Sequence, residues 1–480
     1  MSKVLYISSE AFPLIKTGGL ADVAGSLPVA LQKQDQDVRL LLPAYPEVLT
    51  KIKKHKILTK TTYYNLSVNI IETRLPGSKI SVLLVDCAAM LDRQGGPYTD
   101  YHGQPWSDNA LRFSVFCHAA VDIALNKFKI NWQPDIVHCN DWQSGLVPAL
   151  LSLHKPRPAT VFTIHNLAYQ GVFEQQTFFD LHLPQELWHI DGLEFYNQLS
   201  FIKGGLAYAD KITTVSPNYA QEILEPEYSY GLDGLLNHRK KVLSGIINGI
   251  DEKHWNPGTD NFLFQKYNRR SLEKKSLNKT ALQKELGLPM DKSIPMLGMV
   301  SRLVEQKGLD IILQCLDDVL TLPLQIVVLG TGELHYETLL LDYAQKYPEK
   351  INIIIGYNEA LAHRIEAACD LYLMPSTFEP CGLNQLYSLK YGTLPIVTRV
   401  GGLADTVRDA SEKNINNKEA NGFTLKEKSP AALLSTIKKA LSVHQQPEIW
   451  KQLQQTAMKG DFSWQTSASQ YVALYQQLLK

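Results

Sequence analysis

The sequence predicts an α/β fold with two doubly wound, Rossmann-like domains. Short β-branched runs alternate with helical stretches along its 480 residues, a pattern typical of parallel sheets with crossover helices. The run Gly-Gly-Leu-Ala-Asp also occurs twice, at 18–22 and 401–405, each time between a strand-like run and a helix-like run. Glycines before a helix let backbone N–H groups approach a ligand, and the helix N-terminus favours negative charge. One copy alone is equally well explained as a turn, but two copies, one preceded by Lys16, favour two domains that face one anionic ligand.

The expected strands form two sets, one for each domain. The first set is 4–8, 38–42, 79–85, 136–138, 160–164 and 211–215. The second set is 296–300, 325–329, 351–355, 371–374 and 394–397. We therefore expect one domain over residues 1–244 and a second over residues 245–459, with a hinge near 245–256. Residues 460–480 form a C-terminal segment with a helix, because apolar side chains recur with helical spacing at Tyr471, Leu474, Tyr475 and Leu478.

Composition excludes several classes of protein. The 48 Lys and Arg residues balance 48 Asp and Glu residues, whereas nucleic-acid binding needs a basic excess. The six cysteines are scattered without a C-x-x-C pair, which argues against a disulfide framework or a zinc site. No apolar run approaches the roughly 20 residues of a membrane helix. Only Met-Ser-Lys stands before Val4, so a signal peptide is not expected. We expect a cytoplasmic protein that binds neither membranes nor nucleic acid.

A carboxylate follows one strand of the second domain. Glu379 lies in Pro-Ser-Thr-Phe-Glu-Pro-Cys-Gly-Leu, between the strand 371–374 and a helical run that begins at Asn384. Ligands of doubly wound sheets bind beyond the carboxyl ends of the strands, so Glu379 is expected to contact the ligand. Gly382 leaves the N–H groups of the next helix open to phosphate. The alternative is that Glu379 is a solvated helix cap.

Cationic and polar side chains follow other strands. Arg302 and Lys307 come directly after the strand 296–300 and suit a diphosphate, with arginine as the fork and lysine as the point charge. An ordinary surface loop is the alternative reading. His165, Asp141 and Trp142 follow two neighbouring strands and suit a polyol, with the indole as a flat face for a sugar ring.

Other chemistries find less support at these positions. No second tight pair of ligands accompanies His165 and Asp141, so a metal site is not expected there. No G-x-S-x-G motif is present, so a serine hydrolase is not expected. Tyr357, just after the strand 351–355, is a candidate for stacking on a base, with a buried core tyrosine as the alternative.

Taken together, these segments resemble the bacterial glycogen synthases, which share their motifs with plastid starch synthases. The resemblance is carried by residues 16–23, 138–142, 248–251, 302–308, 379–383 and 401–407, and it runs collinearly from Met1 to about Trp464. It implies a GT-B glycosyltransferase fold, in which two Rossmann-like domains face each other across a cleft. It also implies transfer of glucose from ADP-glucose to the non-reducing end of an α-1,4-glucan (glycogen), with retention of configuration. The C-terminal helix is then expected to cross back onto the first domain.

The resemblance also implies roles for individual residues in binding the donor. Lys16 and the backbone of Gly18 and Gly19 would contact the phosphates from the first domain. Arg302 and Lys307 would hold the diphosphate from the second domain. Backbone groups near the sugar and phosphate would come from Cys381, Gly382, Leu383 and Asn384.

Further roles concern the sugar, the base and the acceptor. Glu379 would contact the transferred glucose, and Tyr357 would stack on the adenine. The glucose site would be lined by His165, Asn248 and Asp141. The acceptor side would be lined by Trp142 and Tyr98.

Two positions depart from the family pattern. Many related retaining transferases carry a second glutamate eight positions after the first, where this chain has Tyr387, so no role for a second carboxylate is expected. Threonine often stands where this chain has Asn384, so a hydroxyl contact to phosphate is not assumed, although the backbone N–H remains available.

The expected mechanism is a same-face substitution. A double displacement needs two carboxyl groups about 5 Å apart, and the matched motifs supply no such pair. In the substitution, the departing phosphate oxygen takes the proton of the acceptor 4-hydroxyl. No cofactor or metal is expected, because Lys16, Arg302, Lys307 and helix N-termini supply the positive charge and no carboxylate cluster offers a magnesium site.

Three other functions stay open at this point. A sucrose- or trehalose-forming transferase has the same architecture, although the 16–20 motif and Tyr387 favour the polymer-extending family. A nicotinamide dehydrogenase also uses doubly wound domains, but no G-x-G-x-x-G follows the first strand. A non-catalytic glucan-binding protein is the third, against which the presence of Glu379, Arg302 and Lys307 weighs.

Overall fold

The chain divides into two compact α/β units in a computed structural model that describes residues 1–479. Unit 1 comprises Met1–Gly249 together with Trp464–Lys480, and unit 2 comprises Ile250–Ser463. The described residues contain no helix that is both long and apolar enough to cross a membrane.

The strands of unit 1 are β1 Lys3–Ile7, β2 Asp37–Pro43, β3 Lys56–Tyr63, β4 Leu66–Arg74, β5 Ser81–Asp86, β6 Ile136–Asn140, β7 Ala159–Ile164, β8 Val172–Glu174, β9 Glu194–Phe195, β10 Gln198–Ser200, β11 Lys211–Thr214 and β12 Leu243–Gly245. Nine of them form a sheet in the order β12-β11-β7-β6-β1-β2-β5-β4-β3. The strands from β12 to β5 in this order are parallel, whereas β4 and β3 add an antiparallel hairpin. A small antiparallel sheet has the order β8-β10-β9.

The helices of unit 1 are α1 Gly19–Gln32, α2 Pro46–Lys51, α3 Ala88–Leu91, α4 Asn109–Ala124, α5 Leu146–Ser152, α6 Gln175–Asp180, α7 Phe201–Tyr208, α8 Pro217–Glu222, α9 Pro226–Ser229 and α10 Asp233–His238. Short 3-10 helices span Trp142–Ser144, Gln185–Leu187 and Lys240–Val242. Helix α1 buries Leu20, Val23, Leu27 and Leu31, whose helical spacing makes one face of the helix apolar.

Unit 2 contains strands β13 Met296–Val300, β14 Gln325–Gly330, β15 Ile351–Ile355, β16 Leu371–Met374, β17 Leu394–Val397 and β18 Phe423–Thr424. They form one parallel sheet in the order β15-β14-β13-β16-β17-β18, which is the common Rossmann order. Its helices are α11 Lys275–Glu285, α12 Leu309–Thr321, α13 Leu334–Lys346, α14 Glu359–Ala368, α15 Asn384–Tyr391, α16 Gly401–Thr406, α17 Glu412–Asn416, α18 Pro430–His444 and α19 Pro447–Lys459, with 3-10 helices at Leu272–Lys274 and Glu305–Lys307.

The central strands of both sheets are buried on both faces. Every residue of β6, β14, β16 and β17 is buried, and parallel sheets covered by helices read as continuous apolar runs for this reason. The eleven predicted strands are all present, with ends shifted by a few residues. The hairpin β3–β4 and the short strands β8, β9, β10, β12 and β18 were not predicted.

The last helix, α20 Trp464–Leu478, belongs to unit 1. Its Tyr471 and Tyr475 are almost fully buried, and the Tyr475 hydroxyl is hydrogen-bonded to His138 Nδ1 at 2.6 Å. Ser467 Oγ donates to the carbonyl of Ile247 at 2.6 Å. The chain thus returns to unit 1 after completing unit 2.

The domain boundaries differ from the predicted ones by a few residues. The first lies after Gly249 rather than after residue 244, because β12 pairs with β11 and Ile247 bonds to α20. The last helix begins at Trp464 rather than at residue 460, because Ile250 N donates to Phe462 O at 2.8 Å within unit 2.

Candidate active site

Two loops of unit 2 meet where the strand order of its sheet reverses. Strands β13 and β16 are neighbours, and the helices that follow the two central strands of such a sheet leave in opposite directions, which opens a ligand crevice at this edge. Thr377 N donates to Gln306 O at 2.9 Å, and Gln306 Nε2 donates to Phe378 O at 3.1 Å. The two loops are therefore joined by backbone and side-chain hydrogen bonds.

A carboxylate–ammonium pair lies at this junction. Lys307 Nζ donates to Glu379 Oε2 at 2.6 Å, and Ser376 Oγ donates to the same oxygen at 3.0 Å. The side chains of Lys307 and Glu379 are only 17% and 9% exposed. Removing one member of such a pair leaves a poorly solvated charge, which costs up to about 3–5 kcal/mol when burial is complete.

The alternative that Glu379 caps a helix is wrong. Helix α15 begins at Asn384 after Leu383, and no side chain caps it. Glu379 lies four residues before the N-cap of this helix, and its carboxylate bonds instead to Lys307 and Ser376.

Arg302 presents a free guanidinium on the loop after β13. Its side chain is exposed and forms no hydrogen bond or ion pair with any residue from 1 to 479. A planar fork without a protein partner matches the oxygens of a phosphate. The loop of Arg302 and Lys307 thus combines one free cation with one paired cation.

The side chains of Cys381 and Asn384 are occupied within unit 2. Cys381 is buried, and Gly382 has a φ of +70°, which favours glycine. The Asn384 side chain donates to Tyr372 OH at 2.9 Å and to Val300 O, so its amide is engaged within the sheet. What remains for a ligand is the first turn of α15, whose N–H groups have no side-chain cap.

The second Gly-Gly pair packs against protein rather than opening to a ligand. Gly402 N donates to Glu379 O at 3.2 Å. A Cβ on Gly401 would lie 1.9 Å from Glu379 O, and one on Gly402 would lie 2.0 Å from Cys381 O. The expectation of a free glycine loop at 401–402 is therefore wrong, and the two glycines instead support the backbone that carries Glu379.

Two tyrosines of unit 2 differ in exposure. Tyr357 is 73% exposed, so the alternative of a buried core tyrosine is wrong. Tyr387 is 7% exposed and stacks on Trp255 with ring centroids 3.8 Å apart. The position of the family's second glutamate thus holds a packed aromatic ring.

In unit 1, Asp141 stands out by its backbone. Its φ of 53° and ψ of −178° lie in a region that is essentially restricted to glycine, and such strain clusters at functional sites. Asp141 Oδ1 accepts a hydrogen bond from His165 N at 2.7 Å. Burial raises the pKa of Asp141 to about 7, although backbone hydrogen bonds from His165 and Asn166 oppose the rise.

His165 is held as a neutral hydrogen-bond acceptor. Asn140 Nδ2 donates to Ile7 O at 2.9 Å, which turns Asn140 Oδ1 towards His165 Nε2 at 2.9 Å, so Nε2 carries the proton. Burial lowers the pKa of His165 to about 3. His165 Nδ1 has no partner within residues 1–479 and can accept a hydrogen bond from a sugar hydroxyl.

Trp142 does not offer the open face that was expected. The indole is 8% exposed and packs edge-on against Phe113 and Phe173, with ring centroids at 4.9 Å and 5.9 Å. The backbone of Gly171 also lies against the ring, since a Cβ there would be 2.3 Å from it. Apolar neighbours cover the indole, so the expected flat open face is absent, and a contact between Trp142 and the acceptor stays a prediction.

Glu10 is a buried residue that the sequence analysis missed. It is 3% exposed, accepts from Thr17 Oγ1 at 2.6 Å and Gly18 N at 3.3 Å, and accepts from Tyr98 OH at 2.6 Å. The carboxylate thereby ties the first glycine loop to Tyr98. Its place just after β1 was the available signal, since polar residues beyond strand ends line ligand sites.

The first glycine loop is more open than the second. Gly18 and Gly19 are exposed, and a Cβ on Gly18 would meet nothing within 4 Å, so packing alone does not require glycine at that position. Lys16 Nζ pairs with Asp22 Oδ1 at 2.8 Å, with side-chain exposures of 40% and 23%. Exposed pairs of this kind contribute little to stability, so a competing anion would displace Asp22 from Lys16 at little cost.

Asn248 is the last of the predicted site residues. It is 5% exposed, and its Oδ1 has no hydrogen-bond partner among the residues of the described chain. A buried amide oxygen without a partner costs roughly 1–3 kcal/mol, and a ligand hydroxyl would remove that cost.

Two doubly wound α/β units, one of them with a cationic site at its strand ends, suit a transferase whose donor carries a diphosphate. Residues 3–238 match the family described as "Starch synthase catalytic domain", and residues 278–456 match "Glycosyl transferases group 1". The chain is 54% identical to a glycogen synthase of Cellvibrio japonicus over 100% of both chains. It belongs to the glycogen synthase family.

Solved structures agree with this assignment. The catalytic domain of starch synthase IV from Arabidopsis thaliana, bound to ADP and acarbose, is 33% identical with a TM-score of 0.90, covering 99% of both chains. A sucrose-phosphate synthase from Thermosynechococcus elongatus has a TM-score of 0.61, covering 100% of this chain and 99% of that one, and at 16% identity it shows the fold alone. The predicted family, GT-B fold and glycosyltransferase class are confirmed.

Proposed function

We propose that this chain transfers glucose from ADP-glucose to the non-reducing end of an α-1,4-glucan with retention, and that Glu379 and Lys307 are central to the step. The observation that carries the proposal is the nearly buried pair between Lys307 Nζ and Glu379 Oε2 at 2.6 Å. The ADP bound to the Arabidopsis relative supports the nucleotide, since ADP is what remains when ADP-glucose gives up its sugar.

The diphosphate of the donor is assigned to the cations of unit 2. Within residues 1–479 the Arg302 side chain has no partner that a phosphate would need to displace, and Lys307 is paired with the Glu379 carboxylate. Together with the N-terminus of α15, which no side chain of residues 1–479 caps, they stabilise the negative charge that grows on ADP as it leaves. Tyr357, whose ring is mostly exposed, is assigned to the adenine.

The sugar is assigned to groups that lack partners or are held rigidly. Because Glu379 pairs with Lys307 at 2.6 Å and Lys307 is assigned to the phosphate, we assign the Glu379 carboxylate to the sugar next to it, where its charge favours an oxocarbenium-like transition state. For unit 1 we assign hydroxyl contacts to His165 Nδ1, Asn248 Oδ1 and the Asp141 carboxylate. Lys16 and the Gly18–Gly19 backbone are assigned to donor phosphate, and Tyr98 to the acceptor.

The step proceeds on one face of the sugar. The acceptor 4-hydroxyl oxygen forms a bond to the anomeric carbon as the bond from that carbon to the β-phosphate oxygen breaks. The proton of the hydroxyl moves to the departing phosphate oxygen, so no protein base is needed. No metal takes part in this step, because Arg302, Lys307 and Lys16 supply the positive charge.

Incorporation of radiolabelled glucose into glycogen tests the proposal. Purified protein is incubated with glycogen and labelled ADP-glucose or UDP-glucose at equal concentration, and label is counted in precipitated polymer. We expect ADP-glucose to label the polymer far faster than UDP-glucose. Preference for UDP-glucose, or label that never enters polymer, would refute the assignment.

A further inference from the structure

A cluster of two histidines and one glutamate lies in unit 2 outside the residues assigned to the donor. His254, Glu359 and His363 each offer one ligand atom, and these atoms all lie within 4.8 Å of one another. Glu359 and His363 are separated by one turn of α14, so they lie on the same face of the helix. His254 approaches from the loop that follows Ile250.

The buried histidine of this cluster has an unused nitrogen. His363 is 0% exposed, and its Nε2 has no hydrogen-bond partner among the described residues. Its Nδ1 is bonded to Asp260 Oδ2 at 2.7 Å, so Nδ1 carries the proton and the lone pair of Nε2 is left free. A buried polar atom without a partner is costly, and a ligand on Nε2 accounts for it.

The surroundings of His363 are those of a metal-bound histidine. Metal-ligating histidines commonly donate their other ring N–H to a carboxylate, which fixes the ring and makes it more basic. Asp260 is itself fixed, because Oδ2 accepts from Tyr391 OH at 2.6 Å and Oδ1 accepts from Phe262 N at 2.9 Å. Trp255 stacks on the imidazole with ring centroids 3.7 Å apart and an interplanar angle of 10°.

The other two groups are able to adjust and to admit an ion. His254 Nε2 and Glu359 Oε1 lie 2.8 Å apart, with side-chain exposures of 34% and 39%. Ligand atoms of a tetrahedral zinc site are about 3.4 Å apart, given bonds of roughly 2.1 Å. The three ligand atoms already lie within 4.8 Å of one another, so binding requires the two partly exposed side chains, and not the packed His363 ring, to move.

We propose that His254, Glu359 and His363 bind one divalent transition-metal ion, with Zn²⁺ as the best match. Two imidazoles and one carboxylate suit Zn²⁺ and other divalent first-row transition metals, whereas Mg²⁺ and Ca²⁺ prefer oxygen ligands. The site is independent of the proposed transfer reaction, since none of its three residues is assigned to donor or acceptor. The alternative is a simple His254–Glu359 ion pair above a structural histidine, which leaves His363 Nε2 without a partner.

Zinc binding to the untagged protein tests the proposal. The protein is dialysed against EDTA and then against chelator-free buffer, and Zn²⁺ is titrated by calorimetry. We expect one ion per chain with a Kd of about 10 µM or tighter. The six cysteines are all buried and are not expected to compete.

Variants locate the ion. His254→Ala and Glu359→Gln should each weaken Zn²⁺ binding about tenfold or more, while His363 is left intact because it is packed in the core. His335→Ala is the matched control, since His335 lies near a single carboxylate, Glu333, at 3.7 Å without a third ligand. Its Zn²⁺ affinity should equal that of the unchanged protein. Absence of saturable binding with a Kd of about 10 µM or tighter, or equal affinity in His254→Ala, would overturn the site.

Quenching of tryptophan fluorescence by Cu²⁺ gives a second readout. Trp255, one of seven tryptophans, stacks on the ring of His363, so an ion on Nε2 should quench its emission strongly. The saturable quenching should disappear in Trp255→Phe and require more Cu²⁺ in His254→Ala. Saturable quenching that persists unchanged in Trp255→Phe would place the ion elsewhere and refute the proposal.

Discussion

Glu379→Gln removes the charge that faces Lys307 while keeping the size of the side chain. In the native chain Glu379 Oε2 accepts hydrogen bonds from Lys307 and Ser376 at 2.6 Å and 3.0 Å. Little water competes, because the Glu379 side chain is 9% exposed. Loss of one preorganised charged contact of this kind lowers kcat about 10²–10³-fold, which corresponds to roughly 2.7–4 kcal/mol of transition-state stabilisation.

The affinity for ADP should behave differently from kcat. In Glu379→Gln both Arg302 and Lys307 remain, and Lys307 is released from its carboxylate, so ADP binding should not weaken. A loss confined to the transition state lowers kcat and kcat/KM together. Lys307→Ala should weaken ADP binding about tenfold or more as well as turnover, because it removes a cation and leaves the nearly buried Glu379 carboxylate without its counter-ion.

The assay combines initial rates of label incorporation with calorimetric titration of ADP. Glu252→Gln is the matched control, since it breaks another lysine–glutamate pair of unit 2, with Lys390, outside the proposed site. It should leave kcat unchanged, and melting temperatures check that each variant folds. Near-normal kcat in Glu379→Gln, or an effect that lies wholly in ADP affinity, would make Glu379 a structural residue and refute the reasoning.

Three further predictions address the metal, the last helix and a buried histidine. Transfer activity should survive excess EDTA on thoroughly dialysed protein, and a loss that Mg²⁺ or Mn²⁺ restores would contradict the cationic site. Deletion of residues 464–480 should lower the melting temperature of unit 1 by about 8 °C or more, since the two buried tyrosines of α20 contribute roughly 2 kcal/mol each; an unchanged melting temperature and full activity would contradict this. Burial lowers the pKa of His138 to about 3, so the neutral ring contributes stability that is present above the unfolded pKa of about 6.5 and is lost as pH falls towards 3. The unchanged protein should therefore melt at a higher temperature than His138→Gln, and this difference should shrink between about pH 7 and pH 4.5. A difference that stays constant over this range would show that the ring is not held neutral.

Much of the fold follows from local pattern. The strands of unit 2 were predicted at 296–300, 351–355, 371–374 and 394–397, where β13, β15, β16 and β17 lie, because strands buried on both faces read as short continuous apolar runs. Helix α15 begins at Asn384 as predicted. The hairpin β3–β4 was missed because its edge strand β3 is largely polar and none of its residues is buried, so it lacks the apolar run of a central strand.

Contacts between distant residues limited the prediction of the site. Motifs indicated Glu379 and Lys307 separately, but their direct pairing across 72 residues depends on β13 and β16 being neighbours. The burial of Trp142 depends on Phe113, Phe173 and the backbone of Gly171, which come from other segments of unit 1. An aromatic residue beside polar ones reads the same in sequence whether its face is open or covered.

The sequence by itself determined the two α/β units, eleven of their strands, the family and the loops that carry charged residues. These follow from hydrophobic period and from motifs, both of which are local along the chain. Only the tertiary structure decided which charges are paired, that Glu10 holds the first glycine loop, that the second glycine pair supports the Glu379 backbone, and that His363 keeps a free nitrogen. Each of these depends on the distance between groups far apart in sequence, which the order of strands in a sheet sets and which no local pattern contains.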